Sequence, residues 1–288
     1  MSYVYLILSV FTLASASIFG TYYNRANEGK RDITPLYNFM QLAVITTIWF
    51  ALYLFDFSFD VGVLPYAILF AAFYTVNNIG VLGALFNGPT SLTSLFVTLS
   101  LLLTTIWGFF FWGASPTFIV ITGLVLVVIS MTLCLYTGKK EEKKITFKWL
   151  VYIAMAFFGN AACMIVQKEQ QLAFDGAHGK MLMAFATFFA MLAFLVIYLR
   201  SDKRDSRAIL KASWGFPVFA GAANVVLNMS LIALALSELS PSLIYPVSGV
   251  GELVVVMFFS VLAFKERLGR SQWVGIVVGA VATVLLSV

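Results

Sequence analysis

The chain has 288 residues, of which 61% are hydrophobic and only 11% charged, with a formal net charge of +5. A soluble domain carries roughly 25% charged residues, so most of this surface is not made to face water. The positive balance sits in short connecting segments, where Lys and Arg act as topology signals, and nucleic acid is not expected as a partner.

Apolar runs of about 20 residues, nearly free of charge, recur along the whole length. In lipid each run must satisfy its own backbone hydrogen bonds, which a helix does within one segment. The two-residue alternation of a membrane barrel is absent. The first run, at residues 3–23, has no basic stretch in Met1–Tyr5 and no small-residue cleavage site ahead of a soluble domain, so it reads as a retained helix. Four more spans follow at 36–55, 65–86, 89–112 and 117–136. The second half has spans at 147–166, 181–199, 214–236, 241–264 and 272–288. Pro65, Pro89 and Pro241 open three of them, as suits a first helical turn. The run Gly-Lys-Lys-Glu-Glu-Lys-Lys from Gly138 to Lys144 is a solvated linker. The chain therefore divides into a five-helix repeat at 1–137, a linker at 138–146 and a second five-helix repeat at 147–288.

Ten spans put both termini on one side, and the charges choose the side. One set of loops holds Arg25, Lys30, Arg31, four lysines of the linker, Lys148, Arg200, Lys203, Arg204, Arg207, Lys211, Lys265, Arg267 and Arg270, and the other set holds only Lys168 and Lys180. The bias predicts a cytoplasmic linker and external termini, in a multi-pass protein of the cytoplasmic (inner) membrane.

An internal repeat is visible. Gly88-Pro89-Thr90-Ser91-Leu92 opens the fourth span and Ser240-Pro241-Ser242-Leu243 the ninth. Thr122-Gly123-Leu124-Val125 pairs with Val274-Gly275-Ile276-Val277, and Phe19-Gly20-Thr21 with Phe158-Gly159-Asn160. Five helices per half is an odd number, so the second half enters the membrane inverted. The expected fold is an all-α integral membrane protein with ten transmembrane helices as two inverted five-helix repeats, a layout of secondary transporters.

The segment from Tyr245 onward carries Tyr-Pro-Val-Ser-Gly-Val-Gly at 245–251, Phe-Lys-Glu-Arg-Leu at 264–268 and Gln-Trp-Val-Gly at 272–275. With the repeat layout, it resembles the drug/metabolite transporter superfamily in its EamA-type ten-helix branch. The Ser-Gly-Val-Gly stretch and the following Arg-Leu also resemble small multidrug resistance transporters. The resemblance implies transport of a small metabolite or drug across the cytoplasmic membrane, without naming the substrate, and a cavity lined by the first, third, fourth, sixth, eighth and ninth spans. Two departures stand out. Trp112-Gly113-Ala114-Ser115-Pro116 occupies the loop that corresponds to Lys265–Leu268. Relatives are often drawn with cytosolic termini, whereas these charges place them outside.

Glu252 is the residue richest in implication. It lies near mid-membrane at about 1.5 Å per residue, where an ionisable group is costly and the default reading is function. Such a carboxyl suits a proton-coupled carrier, because one site then holds either a proton or a cationic substrate. The bland reading is a protonated glutamic acid bonded to a neighbouring helix. Tyr245, Ser248, Gly249 and Glu252 follow i, i+3, i+4, i+7 spacing on one helix face. Gly249 and Gly251 weaken the helix there and serve either as a hinge or as close-packing positions. Ser94, Thr98 and Leu101 occupy the corresponding face of the fourth span.

Further polar faces carry Tyr74, Asn77 and Asn78 in the third span and Asn224 and Asn228 in the eighth. Thr21 and Asn24 in the first align with Asn160 and Cys163 in the sixth. Singly each reads as glue between helices; together they outline a substrate path. Gly275 and Gly279 form a GxxxG match, read as either a homodimer face or packing within one chain. Cys134 and Cys163 lie in apolar runs, so neither a disulfide nor a metal site is expected, and His178, the only histidine, falls in an external loop. No nucleophile–base pair, paired carboxylates or P-loop is present. The reading is a transporter and not an enzyme, without cofactor, using protons and a small molecule in proton-coupled export, with proton- or gradient-driven import of an amino acid, sugar or organic cation as the alternative.

Overall fold

The structure is a computed structural model that describes residues 2–31, 33–113, 117–135, 146–235 and 241–286, without the side chains of 101, 102, 134, 135, 232, 235, 241–247 and 286. Every regular element among the described residues is helical. The helices are α1 (Ser2–Ala26), α2 (Ile33–Phe55), α3 (Leu64–Asn87), α4 (Thr90–Thr98), α5 (Leu101–Phe111) and α6 (Phe118–Leu135), followed by α7 (Phe147–Ala173), α8 (Gly179–Arg200), α9 (Ser206–Ser213), α10 (Gly215–Ala235), α11 (Pro241–Leu262) and α12 (Arg270–Leu286). Most of the linker lies outside the described residues.

Six stretches are long and apolar enough to cross a membrane: α1, α2, Val61–Asn87, Thr90–Phe111, α7 and α8. The bent pair α9–α10 makes a seventh, and Phe118–Leu133, Ser248–Leu262 and Arg270–Leu285 are shorter apolar helices. Their outer surface is apolar, with Phe55 91%, Phe118 84% and Phe147 81% exposed. That is the surface of a multi-pass membrane protein. Other phenylalanines, such as Phe70, Phe96 and Phe194, are core rather than lipid-facing bulk.

Helix ends follow local chemistry. Pro65 stands at the start of α3, Pro89 caps α4, and the Thr146 hydroxyl accepts from the Trp149 amide at the start of α7. One expected span is not a single helix, and another has a short helix ahead of it. The fourth divides at Leu99 and Ser100, where the Ser100 amide bonds Val97 O (3.2 Å) in a tight turn and Thr98 Oγ1 takes the Ser94 carbonyl (3.0 Å). Such back-bonding competes with the backbone ladder and bends a helix. The eighth is preceded by α9, an amphipathic helix with Ile209 buried and Arg207 and Lys211 exposed, turned by 69° from α10. Its basic residues had pointed to a loop, but their spacing suits an interfacial helix.

The helices pack as partners that exchange between halves. α3 lies on α7 and α1 on α10; α3 also meets α8, and α10 meets α2; α2 pairs with α8 and α6 with α12. Small residues set the closest crossings. A Cβ at Gly80 on α3 would lie 2.4 Å from the Ala156 nitrogen on α7, and one at Gly159 would lie 2.8 Å from the Asn77 nitrogen. Gly275 and Gly279 face α6 in the same chain. Ser130 Oγ donates to the Gly275 carbonyl (2.7 Å), and a Cβ at Gly279 would meet Ser130 and Leu95. This packing fits the within-chain reading of that pair.

Connections gather at two ends. At one end Arg31 pairs with Asp202 (3.0 Å), Asn27 donates to Ser213 (2.7 Å) and Arg25 donates to the Phe264 carbonyl (2.8 Å). At the other, Lys180 pairs with Asp56 (2.8 Å) and Ser58 bonds His178 (2.8 Å).

Candidate functional site

The α1, α4 and α11 helices meet along a polar seam in an otherwise apolar bundle. Glu252 sits in the middle of α11, buried at 8% exposure, and its Oε2 accepts from Thr98 Oγ1 at the end of α4 (3.3 Å). No cation pairs with it among the described residues. One turn back on α11, Ser248 bonds Ser9 of α1 (2.8 Å). One turn back on α4, Ser94 bonds Ser17 of α1, and Thr21 bonds Thr90 a further turn along (2.9 Å). The expected face of α11 is thus directed into the seam, with Ser248, Gly249 and Glu252 all against other helices.

Gly249 faces Thr283 and Thr98, with a Cβ there 3.3 and 3.6 Å from their methyl groups. Gly251 is tighter, a Cβ lying 2.7 Å from Val10 of α1. Both glycines are therefore close-approach positions here, within a continuous α11. The side chain of Tyr245 lies outside the described residues.

Asn160 of α7 reaches the break in the fourth span, donating to Ser100 Oγ (2.8 Å) and towards Val97 O (3.5 Å). It therefore touches the same turn that carries Thr98. Asn77 is buried beside it on the α3–α7 crossing, and its Oδ1 has no hydrogen-bond partner. Of the remaining amides, Asn78 donates to Tyr74 O (2.7 Å) and Asn228 to Asn224 O (2.8 Å), each within its own helix. Asn78 also lines a cavity of about 30 Å³ with Tyr37, Asn38 and Gln41, which is room for a water rather than a substrate.

Ser9, Ser17, Ser100 and Glu266 join this constellation without having been singled out from the sequence. Ser9, Ser17 and Thr21 do share one face of α1 by spacing of eight and four residues, which is the signal that was available. Glu266 lies in the α11–α12 connection and accepts from the Thr90 amide at the start of α4 (2.8 Å).

Residues 147–288, which carry Ser248, Glu252 and Glu266, match the model of the EamA-like transporter family. That match supports membership of the chain in the drug/metabolite transporter superfamily. The resemblance carried by Tyr245–Gly251 and Phe264–Leu268 therefore holds, and the match points to a membrane transporter of the drug/metabolite type. A solved crystal structure of another protein shares the fold, with a TM-score of 0.57 at 13% identity over 97% of this chain and 97% of that chain. No curated protein matches the chain.

Proposed function

We propose that this EamA-type protein is a proton-coupled secondary transporter that exports a small amphipathic or cationic compound by alternating access. The carrying observation is Glu252, a carboxyl buried in the seam between α1, α4 and α11, with a single neutral donor, Thr98, as its described partner. A carboxylate buried without a cation is costly, so the site is stable either protonated or paired with a cation that enters it. That either-or is the requirement for exchanging a proton against a cationic substrate. The process needs no enzymatic step and no cofactor.

On this reading Ser94, Thr98, Asn160, Ser248 and Glu252 contact the substrate. Tyr74, Asn77, Asn78, Asn224, Asn228 and Tyr245 extend the path, and Gly249 and Gly251 let α11 bend. Ten spans form two inverted repeats, a layout supported by the exchange of packing partners between the halves. The linker is cytoplasmic and the termini external, in line with the cluster of basic connections at one end. Gly275 and Gly279 are read as packing positions, so no dimer is required for transport.

Flux in proteoliposomes under imposed inward and outward proton gradients tests both coupling and direction. Export predicts that an inward-directed gradient drives efflux in the native protein and that Glu252→Gln loses this response. Gradient-independent flux in the native protein, or a normal response in Glu252→Gln, refutes the coupling assigned to this residue.

A further inference from the structure

The nine-residue helix α4 is gripped at both ends by one segment of chain. At its C-terminal end Thr98 Oγ1 donates to Glu252 Oε2 on α11 (3.3 Å). At its N-terminal end Glu266 takes the Thr90 amide (2.8 Å), the Ser91 hydroxyl (3.3 Å) and, more weakly, the Ser91 amide (3.5 Å). These amides belong to the helix's first turn, where the backbone leaves its N–H groups unpaired and a carboxylate is favoured. Glu266 is itself anchored to α11, because its amide donates to the Ser260 carbonyl (2.8 Å). Beside it, Arg25 of α1 holds Phe264 through the carbonyl (2.8 Å) and over the ring (4.8 Å). Past Thr98 the helix is interrupted at Leu99 and Ser100.

We infer that Glu266 is a positioning residue for the Glu252 site, acting through α4 as a short rigid rod. By holding Thr90 and Ser91 it sets Thr98 against Glu252, and the two grips form and release as one event. The turn at Leu99–Ser100 is the joint. Eight residue steps separate Thr90 from Thr98, so the rod carries a change at Glu252 over about 12 Å. It delivers that change to the end where Arg25, Arg31 and Asn27 tie the connections together. Occupation of Glu252 by a cation, which displaces Thr98, then loosens the far end of α4. This consequence rests on the proposed role of Glu252; the mechanical link between the two grips does not.

The link is tested in full-length protein in lipid nanodiscs with Cys134 and Cys163 replaced by alanine and Leu92→Cys as reporter. Leu92 lies on α4 and is fully buried. The readout is its rate of alkylation by a charged, water-soluble maleimide, for Thr98→Val, Glu266→Gln and the two combined. Each single substitution is expected to raise the rate on the order of tenfold, within the usual range of coupling between sites. The double variant is expected to react no faster than the faster single one, because one release event exposes the thiol. Effects that multiply in the double variant overturn the inference. So does an unchanged rate in both Glu266→Gln and Glu266→Ala; should the alanine variant not fold, the near-isosteric glutamine decides alone. The assay uses no transported substrate, so its failure is distinct from failure of proton coupling.

Discussion

Lys180 and Asp56 form an ion pair in which the lysine's hydrogen bond and charge hold the Asp56 carboxyl below its ordinary range. Because the folded value is depressed, whatever stability the pair contributes is present above the ordinary carboxylate range and lost as pH falls through the depressed value. Both partners are well exposed, so solvent and salt screen the pair. Lys180→Met is therefore expected to leave the unfolding temperature in detergent unchanged within error at pH 7 and at pH 3. A large loss confined to neutral pH would show that the pair carries stability. Glu252 contrasts with this pair in every respect: it is buried, and no cation meets it among the described residues. It could be singled out in the sequence because a charge inside an apolar run stands out. Its partner was only half legible. Thr98 had been placed on the corresponding face of the fourth span, but it lies 154 residues away and no local pattern joins the two. Ser9 and Ser17 escaped notice because a hydroxyl in a helix bonds its own backbone and barely alters the hydropathy of its run. Ser9 does so here, on the Leu6 carbonyl (2.7 Å), while also meeting Ser248.

Apolar length and proline placement made most helices readable, since the same run that favours lipid also has to close its own hydrogen bonds. The two departures have physical causes. Apolar character continues straight through Leu99 and Ser100, so hydropathy alone carries no sign of the break, which depends on Thr98 and Asn160 bonding around it. The helix α9 is polar on one face, and a charge count treats it as loop although Ile209 anchors it. The crossing of α3 and α7 is where sequence and packing agree most closely. Gly80, Gly83 and Gly159 allow the two backbones to approach, and a Cβ at Gly80 would fall 2.4 Å from the Ala156 nitrogen and 2.7 Å from the Tyr152 carbonyl oxygen. Backbone atoms cannot swing aside as a side chain does. Gly80→Ala is accordingly predicted to destabilise the protein by about 1–3 kcal/mol, the usual cost of overpacking. Thermal unfolding in detergent measures it; an unchanged midpoint would mean that the helices part without cost.

At the scale of the molecule, two halves with exchanging partners surround one asymmetric site. The fourth and ninth spans supply Thr98 and Glu252, but only the second half carries the carboxyl, within the residues 147–288 that match the EamA-like family. Gly88–Leu92 against Ser240–Leu243 gave the expectation of a duplicated layout, while six helices among the described residues, or seven with the bent pair, are long and apolar enough to cross a membrane. How the helices converge on a pocket was not legible, because pocket shape depends on crossings such as Gly251 against Val10 that link distant parts of the chain. The central claim is that Glu252 holds a proton or a cationic substrate in turn. It is tested most directly by thermal-shift screening of purified native protein and Glu252→Gln against a library of metabolites and organic cations at two pH values. A ligand that binds only the folded state raises the unfolding temperature by mass action. The account predicts cationic hits whose shifts grow with pH in the native protein and vanish, or lose their pH dependence, in Glu252→Gln. Cationic hits of equal size and equal pH dependence in both proteins would contradict it and leave Glu252 a structural residue.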